Sequence, residues 1–290
     1  MSAERTCLIS GTGGYLGGRL EIAMRERGWR VRALTRNPRT GSASVHFQLG
    51  EDVAAEALAG ANGLVHCAYD FTQLKWPDIR RINVLGTEKL FEAARRAGVG
   101  KLIYISTISA YEGCRSLYGK AKLEAEAVAA RFNAAVIRPG LIWGEEPGAM
   151  YGRLVKQVGH SSILLLCGGG LQVQYLVHER DLAECIGRIC EGKMSPGAPI
   201  TVANEQPWAF RQILEEIARG KGKRIRFLPV PWRLVWAGLK TAETCGVRLG
   251  FRSDSLVSLM YQNPKPSFEE QRRAGVVCRS WKPGKEFNHG

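Results

Sequence analysis

A tyrosine and a lysine stand four residues apart in the segment "LYGKAKLEAEA", at Tyr118 and Lys122. On an α-helix, residues at i and i+4 are neighbours. An ammonium group beside a phenol favours the phenolate and lowers the pKa of the phenol toward neutral pH. Such a pair could exchange a proton with a substrate oxygen. The ordinary alternative is a half-buried tyrosine next to a solvated lysine, so the surrounding elements have to be considered.

The apolar residues around this pair predict one amphipathic helix. Their spacing of three and four residues is the helical period, and Ser116 directly before them is a candidate N-cap. Tyr118 and Lys122 would lie together on a flank of this apolar stripe. The stripe consists of Leu117, Ala121, Ala125, Val128 and Phe132.

Short apolar runs alternate with helical segments along the first two thirds of the chain. This alternation predicts a doubly wound, Rossmann-like α/β fold, a parallel sheet covered by helices that binds ligands at the carboxyl ends of its strands. The predicted strands span residues 6–10, 29–35, 45–49, 63–68, 101–107 and 134–140, and the predicted helices include 18–27, 54–60 and 79–97. Strands in "QYLVH" and "PITVAN" are expected to extend the same sheet.

The segment "SGTGGYLGG" places glycines between the first predicted strand and the first predicted helix. Glycine tolerates positive φ and lets the backbone approach a pyrophosphate, which the N-terminus of the following helix attracts. The order of strand, glycine turn and helix therefore predicts a dinucleotide site. The residues assigned to it are Gly11, Gly14, Tyr15, Leu16 and Gly17.

The residues at the end of the second predicted strand indicate whether the dinucleotide carries a free ribose 2′-hydroxyl or a 2′-phosphate. An acidic residue at this place would accept hydrogen bonds from a free ribose 2′-hydroxyl. The sequence has Thr35 there, followed by Arg36, and a guanidinium suits a 2′-phosphate. We therefore expect NADP(H), with NAD(H) as the alternative in which Arg36 is one more surface arginine.

The chain has 290 residues, of which 45% are hydrophobic and 23% are charged, and a formal net charge of +14. This composition is typical of a soluble globular protein, and "MSAERT" at the start is unlike a signal peptide, so a cytoplasmic protein is expected. The eight cysteines lack the spacing of metal ligands, so no metal is expected. The dispersed basic residues favour a small-molecule substrate with an anionic group over nucleic acid.

Two units are expected. Residues 1–204 would form the dinucleotide-binding domain, to which residues 144–172 add part of the substrate cleft, and residues 205–290 would form a smaller substrate-binding lobe. Helices are predicted in the lobe near 209–219 and 232–244. Assembly as a homodimer is left open.

The second helix of the lobe carries an apolar stripe at helical spacing, made of Trp232, Val235, Trp236 and Leu239. We expect this stripe to be core and to roof the substrate cleft. Arg248 and Arg252 would then place cations beside the substrate. A basic amphipathic helix on a membrane surface is the less favoured alternative.

The glycine turn, "HCA", "NVLGTEKLFEAA", "YISTISAY", the Tyr118–Lys122 pair and "IRPGLIWG" follow one another along the chain. In this order they resemble the short-chain dehydrogenase/reductase superfamily, and most closely its extended branch, the NAD-dependent epimerase/dehydratase family. The resemblance covers about residues 6–205 and is loose beyond them. It implies a nicotinamide cofactor and hydride transfer at a carbonyl or alcohol carbon.

The resemblance also implies roles for individual residues. Tyr118 would be the general acid/base, and Lys122 would lower its pKa and hold the nicotinamide ribose. Thr107 would polarise the substrate oxygen, with Ser106 as the alternative. Tyr111 competes with Tyr118 for the acid/base role but has no lysine four residues on.

Other residues would support or contact the cofactor. Asn83 would hold the backbone of the active site, and His66 would pack below the cofactor. Further contacts to the cofactor are assigned to Cys67, Ala68 and Pro139.

The function expected from these residues is that of an NADP(H)-dependent oxidoreductase. One alternative is a nucleotide-sugar epimerase or dehydratase that recycles its NAD(P) internally. A third reading is a cofactor-binding protein that has lost its chemistry, which the presence of Tyr118, Lys122 and Thr107 disfavours.

Overall fold

The structure is a computed structural model that describes residues 5–38, 43–247 and 249–282. The strands are β1 Thr6–Ser10, β2 Arg30–Thr35, β3 Ser44–His46, β4 Gly63–His66, β5 Lys101–Ile105, β6 Ala135–Pro139, β7 Leu141–Trp143, β8 Ile163–Cys167, β9 Val173–Gln174, β10 Leu176–His178, β11 Ile200–Val202, β12 Trp208–Ala209 and β13 Arg226–Val230. The helices are α1 Tyr15–Glu26, α2 Ala55–Leu58, α3 Trp76–Ile79, α4 Gly86–Arg96, α5 Leu117–Arg131, α6 Ala149–His160, α7 Glu179–Cys190, α8 Phe210–Gly220, α9 Trp232–Thr244, α10 Ser253–Met260 and α11 Glu269–Arg273.

Seven parallel strands form the central sheet, in the order β11-β6-β5-β4-β1-β2-β3. All residues of β1 and β4 are buried, as in strands that are covered on both faces. The chain runs outward from β1 to β3 and then crosses to β4 on the other side of β1. This reversal brings the carboxyl ends of β1 and β4 together at the place where such sheets bind ligands. The predicted doubly wound fold is confirmed.

Successive residues of β1 point to opposite faces of the sheet and enter two different cores. Ile9 packs with Met24 and other side chains of α1 and α7. Leu8 packs with Phe91 of α4 and Ala125 of α5. The helices therefore cover both faces and leave the carboxyl ends of the strands for a site.

One predicted strand lies outside the central sheet. β10 pairs with β7 in a separate two-stranded parallel sheet, with Leu176 opposite Leu141, so the prediction that it extends the central sheet is wrong. The reason is that β7 follows β6 after Gly140 and turns away from the sheet, taking β10 with it. The other predicted strand, β11, does pair with β6.

The segment predicted as one helix over 79–97 has three parts. It begins with α3, continues through a π-helical stretch at Arg80–Leu85 and ends with α4. π-helical insertions are frequent at functional sites. This stretch contains Asn83, one of the predicted site residues.

The lobe has a core of its own, and it draws on two separate segments. Tyr151 and Leu154 of α6 pack with Ile213 and Ile217 of α8. By contrast, Phe268 near the C-terminal end packs into a core of the central sheet. The chain thus crosses between the two units more than once, and the division at residues 204/205 stays a prediction.

The predicted core position of α9 is wrong. None of its side chains is buried, and Trp236 is exposed. α9 packs beside α10 at the surface of the lobe, so Trp232, Val235 and Leu239 of its apolar stripe are only half-buried. Arg248, predicted to face the substrate, lies outside the described residues. In the part of the chain that the structure describes, no helix is both long and apolar enough to cross a bilayer.

Candidate functional site

The turn after β1 is shaped to bring backbone close to a ligand. Gly11 has φ +78°, in the left-handed region that favours glycine. A Cβ on Gly11 would lie 2.9 Å from Cα of Ala68, which follows β4, and a Cβ on Gly17 would collide with the Gly11 carbonyl. A side chain is therefore excluded at Gly11 and at Gly17, whereas Gly13 has open space.

The N-terminus of α1 faces this turn, and no side chain caps it. Its N-cap, Gly14, makes no side-chain capping bond, and the first turn has no acidic residue. Free backbone N–H groups at a helix start attract phosphate. The glycine cradle and the uncapped helix start together fit the pyrophosphate of a dinucleotide.

The two other residues assigned to the turn, Tyr15 and Leu16, point away from the helix start. The Tyr15 hydroxyl donates to the buried carboxylate of Glu179, which also accepts from Arg19 Nη2 at 2.6 Å. Leu16 packs against the core of the central sheet. Both hold α1 in place, and their contact with a cofactor stays a prediction.

Arg36 is exposed at the carboxyl end of β2, where the predicted 2′-phosphate would lie. Asp70, after β4, is close enough for the charge of Arg36 to act on it. Burial works to raise the pKa of Asp70, but hydrogen bonds from Thr72 and Gln73 and the charge of Arg36 hold it below its ordinary value. The charge of Arg36 therefore acts on a carboxylate that follows β4.

Tyr118 lies in the first turn of α5, and two caps fix that turn. Ser116 is the N-cap predicted from the sequence and accepts a hydrogen bond from the Gly119 N–H at 3.1 Å. Asp254 of α10 accepts from the N–H groups of Leu117 and Tyr118, at 2.7 and 2.9 Å. The lobe therefore anchors the start of the helix that carries the tyrosine.

Burial raises the pKa of Tyr118 to about 12, and a hydrogen bond with the Thr107 side chain opposes this shift. The pKa is thus raised and not lowered, which corrects the direction expected from the spacing to Lys122. The structure does bring Tyr118 and Thr107 together. Tyr111, the competing tyrosine, donates its hydroxyl to the Tyr261 carbonyl at 3.1 Å.

Lys122 is buried, and its ammonium points at the sheet. Nζ donates to the Ile105 carbonyl at 2.7 Å and lies 4.7 Å from the centre of the Tyr104 ring and 5.2 Å from that of Tyr69. Burial lowers the pKa of Lys122 to about 8, although the nearby Cys67 and Glu126 oppose the shift. The carbonyl and the two ring faces hold the lysine at the carboxyl end of β5.

Two aromatic residues after β4 enclose Tyr118. The Tyr69 ring lies edge-on, with centroids 4.9 Å apart, and the Phe71 ring is stacked at 5.6 Å. Phe71 is itself more than half exposed. The tyrosine thus lies in an apolar setting that opens to solvent beside Phe71.

Ser106, the alternative partner of the tyrosine, has another bond. It is buried and donates its hydroxyl to the Glu126 carboxylate, which is also paired with Arg138. Thr107, the next residue, is the one whose hydroxyl acts on the pKa of Tyr118. This division of bonds supports Thr107 as the residue beside the substrate.

Asn83 holds the loop that carries the two aromatic residues. Its Oδ1 accepts from the Asp70 N–H at 2.7 Å, and its Nδ2 donates to the Asp70 and Ile79 carbonyls, each at 3.2 Å. An asparagine supplies both acceptor and donor for such a clamp. The structure therefore agrees with a role of Asn83 in supporting the backbone.

His66 connects the strand ends to the π-helical stretch. Its Nδ1 lies 2.6 Å from the Ser10 hydroxyl and its Nε2 lies 3.0 Å from Thr87 Oγ1, which in turn donates to the Asn83 carbonyl at 2.6 Å. Burial, and secondarily the charge of Lys122, lower the pKa of His66 to about 3. A neutral His66 thus joins β1, β4 and the asparagine clamp.

The remaining assigned residues lie at the same edge of the sheet. Ser10 Oγ accepts from the N–H groups of Cys67 and Ala68, at 3.1 and 3.3 Å. The Pro139 carbonyl accepts from the Ile108 N–H at 3.1 Å and so braces the turn that carries Thr107. All three residues border the site, and their contact with a cofactor stays a prediction. Within the described ranges, no three His, Cys, Asp or Glu side chains are arranged to hold a metal ion.

Three functional residues escaped the sequence analysis. Tyr69 and Phe71 had a recognisable signal, because "YDF" places aromatic side chains directly after the carboxyl end of a buried strand. Asp254 had none, because it meets Tyr118 across 136 residues of sequence.

Comparison with known proteins agrees with this geometry. Residues 7–202 match the model of the NAD dependent epimerase/dehydratase family. The chain is 25% identical over 269 residues to the 4-hydroxy-2-methyl-3-oxo-4-farnesyl-3,4-dihydroquinoline-1-oxide ketoreductase of Stigmatella aurantiaca, covering 81% of this chain and 79% of that protein. It is 23% identical over 313 residues to a 3-beta-hydroxysteroid dehydrogenase of Mycolicibacterium neoaurum, covering 92% and 85%.

Among solved structures, the chain is similar to MoeE5 in complex with UDP-glucuronic acid and NAD. The TM-score is 0.67 at 20% identity, over 92% of this chain and 99% of that one. This likeness shows the shared fold. The family match spans well over half of the 290 residues. The chain therefore belongs to the NAD dependent epimerase/dehydratase family, the extended branch of the short-chain dehydrogenase/reductase superfamily.

Proposed function

We propose that this protein is an NADPH-dependent reductase of a carbonyl group on a largely apolar substrate. The observation that carries the proposal is the Tyr118–Thr107 pair, set between aromatic rings at the carboxyl end of β5. A proton donor and a hydroxyl beside each other suit a substrate oxygen that gains charge as its carbon is reduced. When bound, the nicotinamide supplies the hydride.

The protonation state of Tyr118 suits a proton donor. Burial raises its pKa to about 12, so the phenol is protonated at neutral pH and can donate to a developing alkoxide. Thr107 would accept or donate a hydrogen bond at the same oxygen and fix its position. The direction of the net reaction is set by the concentrations of substrate and nicotinamide and not by this pKa.

The cofactor preference rests on the end of β2. Arg36 stands there with no carboxylate at Thr35, which suits a 2′-phosphate. Asp70 on the opposite side feels the charge of Arg36 and would weaken this preference. NAD(H) is therefore the alternative cofactor, and the Kd values of NADPH and NADH decide between the two.

The substrate would have an apolar or ring portion against Phe71 and Tyr69, which enclose Tyr118. This agrees with the farnesyl and steroid groups in the names of the two relatives. A cavity of about 180 Å³ beside the start of α5 is lined by Leu117, Trp236 and Lys240, among others. Glu243 and Asp254 also line this cavity, Lys240 is 3.9 Å from Glu243, and Arg252 uses its guanidinium on the Phe71 and Gln73 carbonyls, each at 2.8 Å. The cavity therefore suits the apolar part of the substrate better than an anionic group.

The proposal is tested by stoichiometry. Purified protein is incubated with NADPH and a set of ring ketones, 3-oxosteroids among them, and both NADPH and the alcohol product are quantified. We expect one NADPH to be oxidised per alcohol formed. Product formation without net loss of NADPH would contradict the proposal.

A second function has a specific observation in its favour. The structurally similar MoeE5 was solved with UDP-glucuronic acid and NAD, so a nucleotide-sugar epimerase or dehydratase with recycled cofactor is the alternative. Incubation with UDP-sugars separates the two functions. Conversion of a UDP-sugar with no change in the nicotinamide redox state would support the alternative.

A further inference from the structure

The small sheet of β8 and β13 has one face in the lobe core and one face at the surface. Leu164 and Leu166 point into the core. The alternate residues of the two strands are exposed instead, at 60% for Ile163, 56% for Leu165 and 52% for Leu228. Because Leu165 lies opposite Leu228 in the register, these three side chains share one side of the sheet. We call Ile163, Leu165 and Leu228 the outer sheet face.

The apolar surface continues along the chain into α9. Pro231 alone separates the end of β13 from this helix. Leu234, three residues after Pro231, is 68% exposed, and no residue of α9 is buried. Exposed apolar side chains grouped in this way mark an interaction site. The start of α9 therefore adds Leu234 to the exposed apolar surface.

Apart from Glu243 near the end of α9, the segments that build this surface have no acidic residues. Residues 147–178, which contain β8, have Arg153 and Lys156 and no Asp or Glu. Residues 217–242, which contain β13 and most of α9, also have no Asp or Glu. Their basic residues are Arg219, Lys221, Lys223, Arg224, Arg226, Arg233 and Lys240.

Arg226 lies on the same side of the sheet as the outer sheet face, because it is opposite Ile163 in the register. It is exposed, as is Arg224 two residues before it. Two of the other basic residues are paired, Arg219 with Glu216 and, at 3.9 Å, Lys240 with Glu243. The apolar patch thus has arginines on it and at its edge.

The combination of exposed apolar side chains and exposed arginines indicates one kind of partner. We propose that the outer sheet face and the adjoining surface of α9 bind the surface of a bilayer that contains anionic phospholipid. Apolar side chains enter the boundary between headgroups and acyl chains, and arginines bind the headgroups. A second copy of the chain fits poorly, because a two-fold contact would bring the same basic segments together.

The proposed surface is linked to the site through α9. Trp236 and Lys240 line the cavity beside the start of α5. Glu243 accepts from the Ser253 N–H and hydroxyl, each at 2.7 Å, at the start of α10. The next residue, Asp254, caps the helix of Tyr118. A bilayer-bound lobe would hold the site close to lipid, although lipid binding itself requires no turnover and goes beyond the proposed function.

The test is flotation with lipid vesicles. The full chain is mixed with vesicles of phosphatidylcholine, either alone or with phosphatidylglycerol added, and the bound fraction is measured at low and high salt. Two double variants probe the surface, Leu165→Gln with Leu228→Gln and Arg224→Gln with Arg226→Gln. The matched control replaces exposed apolar residues elsewhere, Ile22→Gln with Val277→Gln.

We expect binding only to the anionic vesicles, with release at high salt. The arginine pair should lower the partition coefficient by roughly twenty-five-fold, since each basic residue contributes about fivefold. The leucine pair should lower it by at least about tenfold, and the control pair should bind like the wild type. Tyr118→Phe should also bind like the wild type, so loss of catalysis and loss of lipid binding can be told apart.

Three results would overturn the proposal. The first is no flotation with anionic vesicles, and the second is full binding by both surface variants while they remain folded by circular dichroism. The third is a lipid-free dimer by light scattering that the leucine pair dissociates, because a second copy would then cover the face. If the leucine pair fails to fold, the exposed arginine pair still decides the outcome.

Discussion

Asp254 of the lobe accepts a hydrogen bond from the backbone N–H of Tyr118 at 2.9 Å, so a carboxylate from another unit caps the helix that carries the proposed proton donor. A negative charge at a helix N-terminus is favourable, and charge-assisted bonds to backbone N–H groups are strong. The position of the tyrosine therefore depends on how the lobe is seated.

Replacing Asp254 by alanine should lower both stability and turnover. Loss of two bonds to a charged acceptor should reduce the free energy of unfolding by about 2 kcal/mol, and kcat should fall while the Kd for NADPH stays unchanged. Urea denaturation and steady-state kinetics provide the two values. The Asp254→Asn variant keeps one acceptor oxygen and should lie between wild type and Asp254→Ala. An equal loss of kcat and of NADPH affinity would show that Asp254 does not act through the Tyr118 helix.

Thr107 and Ser106 are adjacent, but their substitution by alanine should affect different properties, turnover in one case and stability in the other. Thr107→Ala removes the hydroxyl beside Tyr118 and should lower kcat by about 10²-fold or more with little change in stability. Ser106→Ala removes a buried donor from the Glu126 carboxylate and should cost about 1–3 kcal/mol in unfolding free energy. Thermal denaturation and ketone reduction are measured on both variants. If kcat falls in Ser106→Ala and not in Thr107→Ala, then Ser106, and not Thr107, is the residue beside the substrate oxygen.

Arg36→Ala should weaken the binding of NADPH and leave the binding of NADH nearly unchanged. A charge-assisted contact to a 2′-phosphate corresponds to about tenfold to a hundredfold in Kd. Fluorescence titration of the protein with each nucleotide gives the Kd values, and Arg96→Ala, an exposed arginine on α4, is the control for loss of charge. Equal weakening of the two nucleotides, or tighter binding of NADH by the wild type, would contradict an NADPH site.

Lys122 should make stability depend on pH in a defined window. Its pKa is lowered from 10.5 to about 8, so between these values the unfolded chain binds more protons than the folded one, and stability rises with pH. Below pH 8 the buried charge is a penalty that is present in full. Lys122→Met should remove this rise, which amounts to as much as about 3 kcal/mol. Urea denaturation of both proteins from pH 7 to 11 measures the difference, and parallel curves would refute the buried ammonium.

The central sheet could be predicted from the sequence because its strands are local apolar runs and its glycine turn is a local signal. The glycine turn, the N-cap Ser116 and the order of strands and helices all depend on residues near one another in the chain. The prediction for β10 was wrong because its pairing partner depends on the direction in which the chain leaves β6. The residues of β10 itself carry no information about that direction. The position of α9 was wrong for a related reason. An apolar stripe at helical spacing shows which side of a helix is apolar, and whether another element covers it depends on the tertiary structure.

The site could be predicted only as a set of residue types. Tyr118 and Thr107 were identified by spacing and resemblance, and the structure brings them together. The direction of the Tyr118 pKa shift could not be foreseen, because it depends on burial, to which Tyr69 and Phe71 contribute from a separate loop. Asp254 contributes from a segment that lies beyond the family match at residues 7–202, where the resemblance is loose.

The most direct measurement is the rate of NADPH-dependent ketone reduction by Tyr118→Phe, with Tyr111→Phe as the matched control. Phenylalanine keeps the ring contacts with Tyr69 and Phe71 and removes the proton. We predict a fall in kcat by about 10²–10⁴-fold, with the Kd for NADPH unchanged, whereas Tyr111→Phe should retain most of the activity. Wild-type kcat in Tyr118→Phe, with NADPH still bound and consumed, would contradict the assignment of Tyr118 as the proton donor.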